Sequence, residues 1–476
     1  MNKTKASFHA NAGRACGRAV LRAVVSLAVA IGVAAVAQAQ IPTSPSAPVD
    51  DTLTWHGITL YGIVDIGVQY DTHGAPFNDY HPAGSSNIIQ KYDRQSAVGA
   101  TPSNLSQSRV GLQGLEPVAG DWSAIFKVET FFNPESGDLS DALRSQVQNN
   151  GLPASQQGVN LDSSVAGQAF QTAFVGVSSK TFGELTFGRQ LTLVADGINK
   201  YDPNYGSQAF SLIGMSGTYA GGGDTEDKRL DSSLKYTLGI ADVGHLGLLY
   251  KFNGSNGAAN TAYQADLGFA FAGASVDAYA AKMNDAISTS PLSAAQVQGL
   301  PLLGFSVNNS LSGTISDNTT FALMGSYQIA VVKFLAGYEH IKYANPNTPL
   351  GAGFTDIGGY KLAYVNNDAY PNDKILNVYW AGVRYTAAPG LDITAAFYGY
   401  HQNAYAVGAD AGCTTNAHGT CSGHFDAISL DAVYAFNKHF DGYVGAMWSA
   451  VYDGVANGYD MQTNNINPTV GVRFKF

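Results

Sequence analysis

Four side chains near the carboxyl end of the 476-residue sequence have the types and spacing to do chemistry: Cys413-x4-His418-x2-Cys421-x2-His424. Two thiols and two imidazoles are the donors of a tetrahedral zinc site. The competing chemistry is one disulfide, Cys413 to Cys421, and it is favoured if the chain is exported, because an oxidising compartment joins such pairs. Nucleophile and phosphate chemistry lack their motifs. There is no Gly-x-Ser-x-Gly, no His-Glu-x-x-His and no Walker sequence. Gly221-Gly222-Gly223-Asp224 has no strand-to-helix context, and His340 and His401 stand near strand ends where a solvated histidine is the ordinary outcome. Neither an enzyme nor a cofactor is expected.

The remaining charged residues are informative through parity. Arg109 alternates against Val110 and Leu112, Lys127 against Phe126 and Val128, and Arg229 and Lys235 share a face opposite Leu234 and Tyr236. Each of these cations therefore stands on the polar side of a strand. Arg189 breaks the pattern by sharing parity with the apolar Leu185 and Phe187. An arginine facing hydrocarbon at midplane costs roughly 2–4 kcal/mol. It is expected at a strand end or a subunit interface, with Glu135 or Asp138 as its partner.

The elements that carry these residues are alternating strands. In Ile58–Tyr70, Ile58, Leu60, Val64, Ile66, Val68 and Tyr70 share one face while Thr59, Asp65 and Gln69 share the other. About sixteen such segments are expected, at 58–72, 106–117, 121–133, 169–179, 183–190, 230–239, 244–253, 262–272, 274–284, 318–329, 332–343, 374–387, 391–403, 425–437, 440–452 and 467–476. Short links alternate with long ones, as in a barrel with tight turns at one end and long loops at the other. The segment at 467–476 puts Val470, Val472, Phe474 and Phe476 on one face and Thr469, Gly471, Arg473 and Lys475 on the other. A soluble two-sheet stack would also alternate. It would not leave such a face uncovered, nor set charge opposite the apolar side in so many segments. The expected fold class is all-β: a transmembrane antiparallel barrel of 16 strands, with aromatics such as Tyr70, Tyr338, Trp380 and Trp448 as interface girdle.

The front end reads as an export signal over 1–39. Lys3, Lys5, Arg14, Arg18 and Arg22 precede an apolar stretch and Ala37-Gln38-Ala39, a small-x-small cleavage site. The alternative, an uncleaved anchor helix, suits the short apolar stretch poorly. Residues 40–57, with Pro42, Pro45 and Pro48, are expected to be a flexible lead-in to a barrel over 58–476. Losing the five basic residues of the signal from a total of 26, against 36 acids, leaves a net charge of −15, a poor match to nucleic acid. Mean hydropathy is −0.04, the cancellation expected of strands with one polar and one apolar face.

Leu60-Tyr61-Gly62-Ile63-Val64-Asp65, Ser108-Arg109-Val110-Gly111-Leu112-Gln113-Gly114, Phe174-Val175-Gly176-Val177 with Phe187-Gly188-Arg189-Gln190, and Val472-Arg473-Phe474-Lys475-Phe476 resemble, in this order, the general porins of Gram-negative bacteria. The resemblance implies an outer-membrane homotrimer in contact with lipid and lipopolysaccharide. It also implies passive diffusion of small hydrophilic solutes and ions, and a third long loop folded into the lumen. That loop would be 191–229 here, bringing Asp196, Asp202, Asp224, Glu226 and Asp227, with its three glycines for tight bending, opposite a basic ladder that includes Arg109 and Arg229. The ladder looks thinned, since Gln171 and Ile63 stand where relatives often carry an arginine and a lysine. A weak cation preference is the resulting expectation. A substrate-selective channel on the same barrel, and an adhesin or enzyme working through the long loops, remain as alternatives.

Overall fold

A computed structural model describes residues 53–74, 89, 95–139, 142–153, 156–157, 170–213, 228–241, 243–252, 261–355, 357–406, 422–457 and 462–476. The signal, most of the lead-in, Asp224, Glu226, Asp227, Cys413, His418 and Cys421 lie outside them.

Sixteen strands among the described residues close into one antiparallel barrel: β1 Ile58–Asp71, β2 Arg109–Ala119, β3 Trp122–Phe131, β4 Thr172–Ser179, β5 Gly183–Leu191, β6 Arg229–Ile240, β7 Gly244–Lys251, β8 Ala262–Phe271, β9 Ala274–Ser290, β10 Ser310–Ile329, β11 Val332–Ala344, β12 Lys374–Ala388, β13 Leu391–Gln402, β14 Gly423–Ala435, β15 Phe440–Asp453 and β16 Thr469–Lys475. Neighbours in sequence pair, and β1 pairs with β16 from Ile63↔Lys475 to Gln69↔Thr469, so the sheet has no free edge there. Closure satisfies the backbone of every strand without water, which a membrane requires.

The burial pattern is inverted relative to a water-soluble sheet. Val68, Val110, Leu112, Val175, Phe187, Leu323, Val470, Val472 and Phe474 are exposed, while Asp65, Gln69, Glu129, Asp277, Glu339 and Thr469 are buried. The apolar side of each alternation points outward and the polar side inward, so the enclosed face is the one that meets water and loop. Inside, Leu193, Val194, Ile198 and Tyr201 form one cluster with Leu249, Tyr279, Met324, Trp380 and Tyr398 from the wall.

The larger departures from the expected boundaries each have a local reason. The lead-in ends early, since Thr54 and Trp55 already pair with Thr59 and Ile58. The second strand begins at Arg109 and not at 106. Residues 103–108 instead form a turn around the Asp65 carboxylate, which accepts the N–H groups of Leu105 and Ser106 at 2.8 and 2.9 Å. β9 and β10 run well past the expected 284 and 318, pairing from Ala286↔Ser316 to Ser290↔Ser312 beyond a bulge between Met283 and Ala286. The bulge shifts parity, and the small polar residues beyond it carry no alternation, although backbone pairing continues. Helix α1, Ala142–Gln148, packs Leu143 against Ile287, Leu311 and Ile315 of this extension.

Candidate functional site: the loop-lined lumen

After β5 the chain enters helix α2, Leu193–Tyr201, capped by Thr192, whose hydroxyl accepts from Ala195 N–H. A second anchor holds the start of the helix, where Gln264 Oε1 on β8 accepts from Leu193 N–H at 2.8 Å. At Gly197 an added Cβ would fall 2.5 Å from Tyr279 Oη and 2.9 Å from Met324 Sδ. Only glycine lets the helix lie this close to β9 and β10. Lys200 donates to Asp277 on β9 at 2.8 Å, and Trp380 on β12 donates to Tyr201 O at 3.0 Å.

The segment continues across the interior. Asp202 accepts from Asn204 N–H at 3.1 Å, Gly206 N–H at 2.7 Å and Tyr398 Oη at 2.8 Å. Arg384 donates to Pro203 O. Asn204 donates to Ser429 Oγ at 3.0 Å, Gln208 to Gln107 Oε1 at 2.9 Å, and Asn467 to Ala209 O at 2.9 Å. These partners lie on the inward side of β12 to β14, in the turn before β2 and just before β16. Asp202 is thus a buried brace of the loop, a correction to its expected place among the constriction acids opposite the basic ladder. Burial pushes its carboxyl above the ordinary range despite the donors around it.

The wall beside the start of this segment carries the cations. Glu129 on β3 is 2% exposed, with Lys127 Nζ at 3.7 Å and Arg109 Nη1 and Arg229 Nη2 each at 3.8 Å. Tyr61 Oη donates to the same carboxylate at 2.9 Å. Arg229 lies over the Phe131 ring at 4.7 Å and Lys127 over Tyr61 at 5.2 Å. Three cations face one carboxylate, so the cluster keeps a positive excess. Arg109, Lys127 and Arg229 come together as their parity implied. Glu129 was missed, although it stands two residues from Lys127 and so shares its face.

Lys235 pairs with Asp196 of α2, which joins two further predicted residues across the loop and β6. Gln171 precedes β4 and is buried, its N–H bonded to Glu129 O at 2.8 Å. Arg189 has a different partner from those expected: it pairs with Asp231, where the ladder between β5 and β6 is irregular. Asp138 instead approaches Arg144 at 4.0 Å, and Glu135 N–H bonds Asn133 Oδ1 at 2.8 Å. The local pair neutralises Arg189, which removes the need for a distant acid. Among the described residues no group of three His, Cys, Asp or Glu side chains converges as a metal site.

The sequence profile of the family described as Gram-negative porin matches residues 23–450. An outer membrane porin protein of Bordetella pertussis is 24% identical over 290 residues, 59% of this chain and 63% of that relative, so the match spans less than two thirds of its length. The anion-selective porin from Comamonas acidovorans superposes with a TM-score of 0.57 at 18% identity, covering 88% of this chain and 99% of that one. OmpT of Vibrio cholerae in its trimer form gives 0.52 at 14% identity, with 88% and 99% covered.

Proposed function

The chain belongs to the Gram-negative porin family, and from that premise we propose that it forms a water-filled channel in the outer membrane for passive diffusion of small hydrophilic solutes and ions. The observation that carries this reading is the closed barrel whose polar face is turned inward and crossed by the segment 192–213. A channel needs a lipid-compatible exterior, an aqueous interior and a constriction, and no catalytic group. The passage runs between that segment and the wall of β2, β3 and β6.

Local charge sets the preference of such a constriction more than total charge does, since screening reaches only about 8 Å at physiological salt. Arg109, Lys127 and Arg229 around Glu129 favour small anions, against the weak cation preference expected from the thinned ladder. The Comamonas relative, named as anion-selective, supports the same sign. The protein is exported by a signal over 1–39, works as a homotrimer as the trimeric OmpT neighbour suggests, and presents Arg189 with Asp231 near a subunit contact.

Single-channel recording in a planar bilayer under a salt gradient tests this reading. Conductance in steps of three and a reversal potential of anion sign are expected. Silence from folded, inserted protein would send the function to the long loops.

A further inference from the structure

At the long-loop end of the barrel the bulge in β9 holds Asp285, with φ +54°, directly beside β10. The side chain is 1% exposed, yet neither of its carboxylate oxygens has a hydrogen-bond partner among the described residues. Across the bulge stands Asp317 of β10, 5% exposed, which sits opposite Ala344 at the end of β11. Asp317 is held in place: Oδ1 accepts from Asp285 N–H at 3.0 Å, and Oδ2 accepts from Asn347 N–H at 3.3 Å and Asn347 Nδ2 at 3.0 Å. Neither carboxylate has an ion-pair partner among the described residues.

Two buried acids without a counter-charge repel and pay desolvation twice, so the pair persists only if a cation or a shared proton joins it. A lysine or arginine does not. We propose that Asp285 and Asp317 bind a calcium ion, with Asn347 as a third oxygen donor. The unpartnered carboxylate of Asp285 is the open ligand. Asp317 is already fixed by backbone and amide N–H groups, and half a turn of the Asn347 amide would present its Oδ1. Calcium fits better than magnesium because it accepts irregular oxygen sets completed by water, whereas magnesium demands near-octahedral order. With only two carboxylates the affinity belongs to the weak class, a Kd of about 10⁻⁴–10⁻³ M. The ion would tie the bulge to the segment after β11 and so brace the extension of β9 and β10.

The test uses the full-length folded protein in detergent, stripped with EDTA and titrated with calcium chloride by calorimetry, with thermal unfolding measured in parallel. Asp285→Asn is expected to weaken calcium binding about tenfold or more through loss of one of two carboxylates. It should also remove most of the calcium-induced rise in unfolding temperature. In EDTA the order reverses, and Asp285→Asn melts at or above the parent because an unpaired buried charge is gone. A second variant, Asn347→Asp, adds a carboxylate and should tighten calcium binding while lowering the unfolding temperature in EDTA. Equal calcium affinity in parent and both variants overturns the site. So does a parent that is stabilised by acid alone and not by calcium, which would make the pair a shared-proton dyad.

Discussion

Replacing Glu129 by glutamine removes one negative charge from among Arg109, Lys127 and Arg229 and leaves the shape of the side chain intact. The amide oxygen of the substituted side chain can still accept from Tyr61 Oη, which donates to the carboxylate at 2.9 Å in the parent. Two unit charges about 7 Å apart interact by about 0.6 kcal/mol in water, and by about 0.3 kcal/mol after screening in 0.1 M salt. The barrier falls by that amount for an anion and rises by it for a cation. The anion-to-cation permeability ratio should therefore climb about threefold at 0.1 M and hardly at all at 1 M, where the screening length is about 3 Å. Reversal potentials across a bilayer at both salt concentrations read this directly. Arg229 is 4% exposed and loses its carboxylate partner, so folding must be checked first by heat-modifiable mobility on a gel. A folded Glu129→Gln channel whose ratio stays fixed, or moves toward cations, would refute the placement of this cluster beside the passage.

Three other perturbations have defined outcomes. Gly197→Leu cannot be accommodated against Tyr279 and Met324, so α2 should leave its seat and conductance should rise or fluctuate; unchanged single-channel records would show that the helix has slack. Arg189→Ala leaves Asp231 without its ion-pair partner and should lower the temperature at which the oligomer survives in detergent, and an unaltered oligomer band would remove Arg189 from the subunit contact. Asp202 has a raised pKa in the folded state, so its contribution is fullest below the unfolded value and is lost as pH rises through the folded one. The stability of Asp202→Asn relative to the parent should therefore improve as pH rises above the ordinary carboxylate range in urea titrations, and a difference that is flat with pH would contradict the burial argument.

Parity made the barrel legible because a strand with one wet and one oily face must repeat every two residues. Leu60, Val68, Val470 and Phe474 face outward as their alternation demanded, and Arg109, Lys127 and Arg229 share the inward side. The same rule applied two residues beyond Lys127 would have found Glu129. Parity ends where its cause ends. Past the bulge at Asp285, backbone pairing continues without an oily face, so the ends of β9 and β10 left no trace in the pattern. Arg189 broke the pattern in the sequence, and its partner Asp231 lies in an irregular stretch of the ladder to β6, which parity does not address. Asp202 lies in a loop, where no period exists to separate a brace from a water-facing acid.

The pairing of β1 with β16 also governs how the molecule comes into being. Each hairpin can form from neighbours in sequence, but the seam joins Ile63 to Lys475, and the chain must fold around a very large loop before that seam is rewarded. Until then the sheet is an open ribbon with two unpaired edges, in a solvent that offers no hydrogen bonds. Such a ribbon is a template for other ribbons. The closing step is accordingly the slow, non-local one, and it decides whether the ribbon closes on itself or joins another.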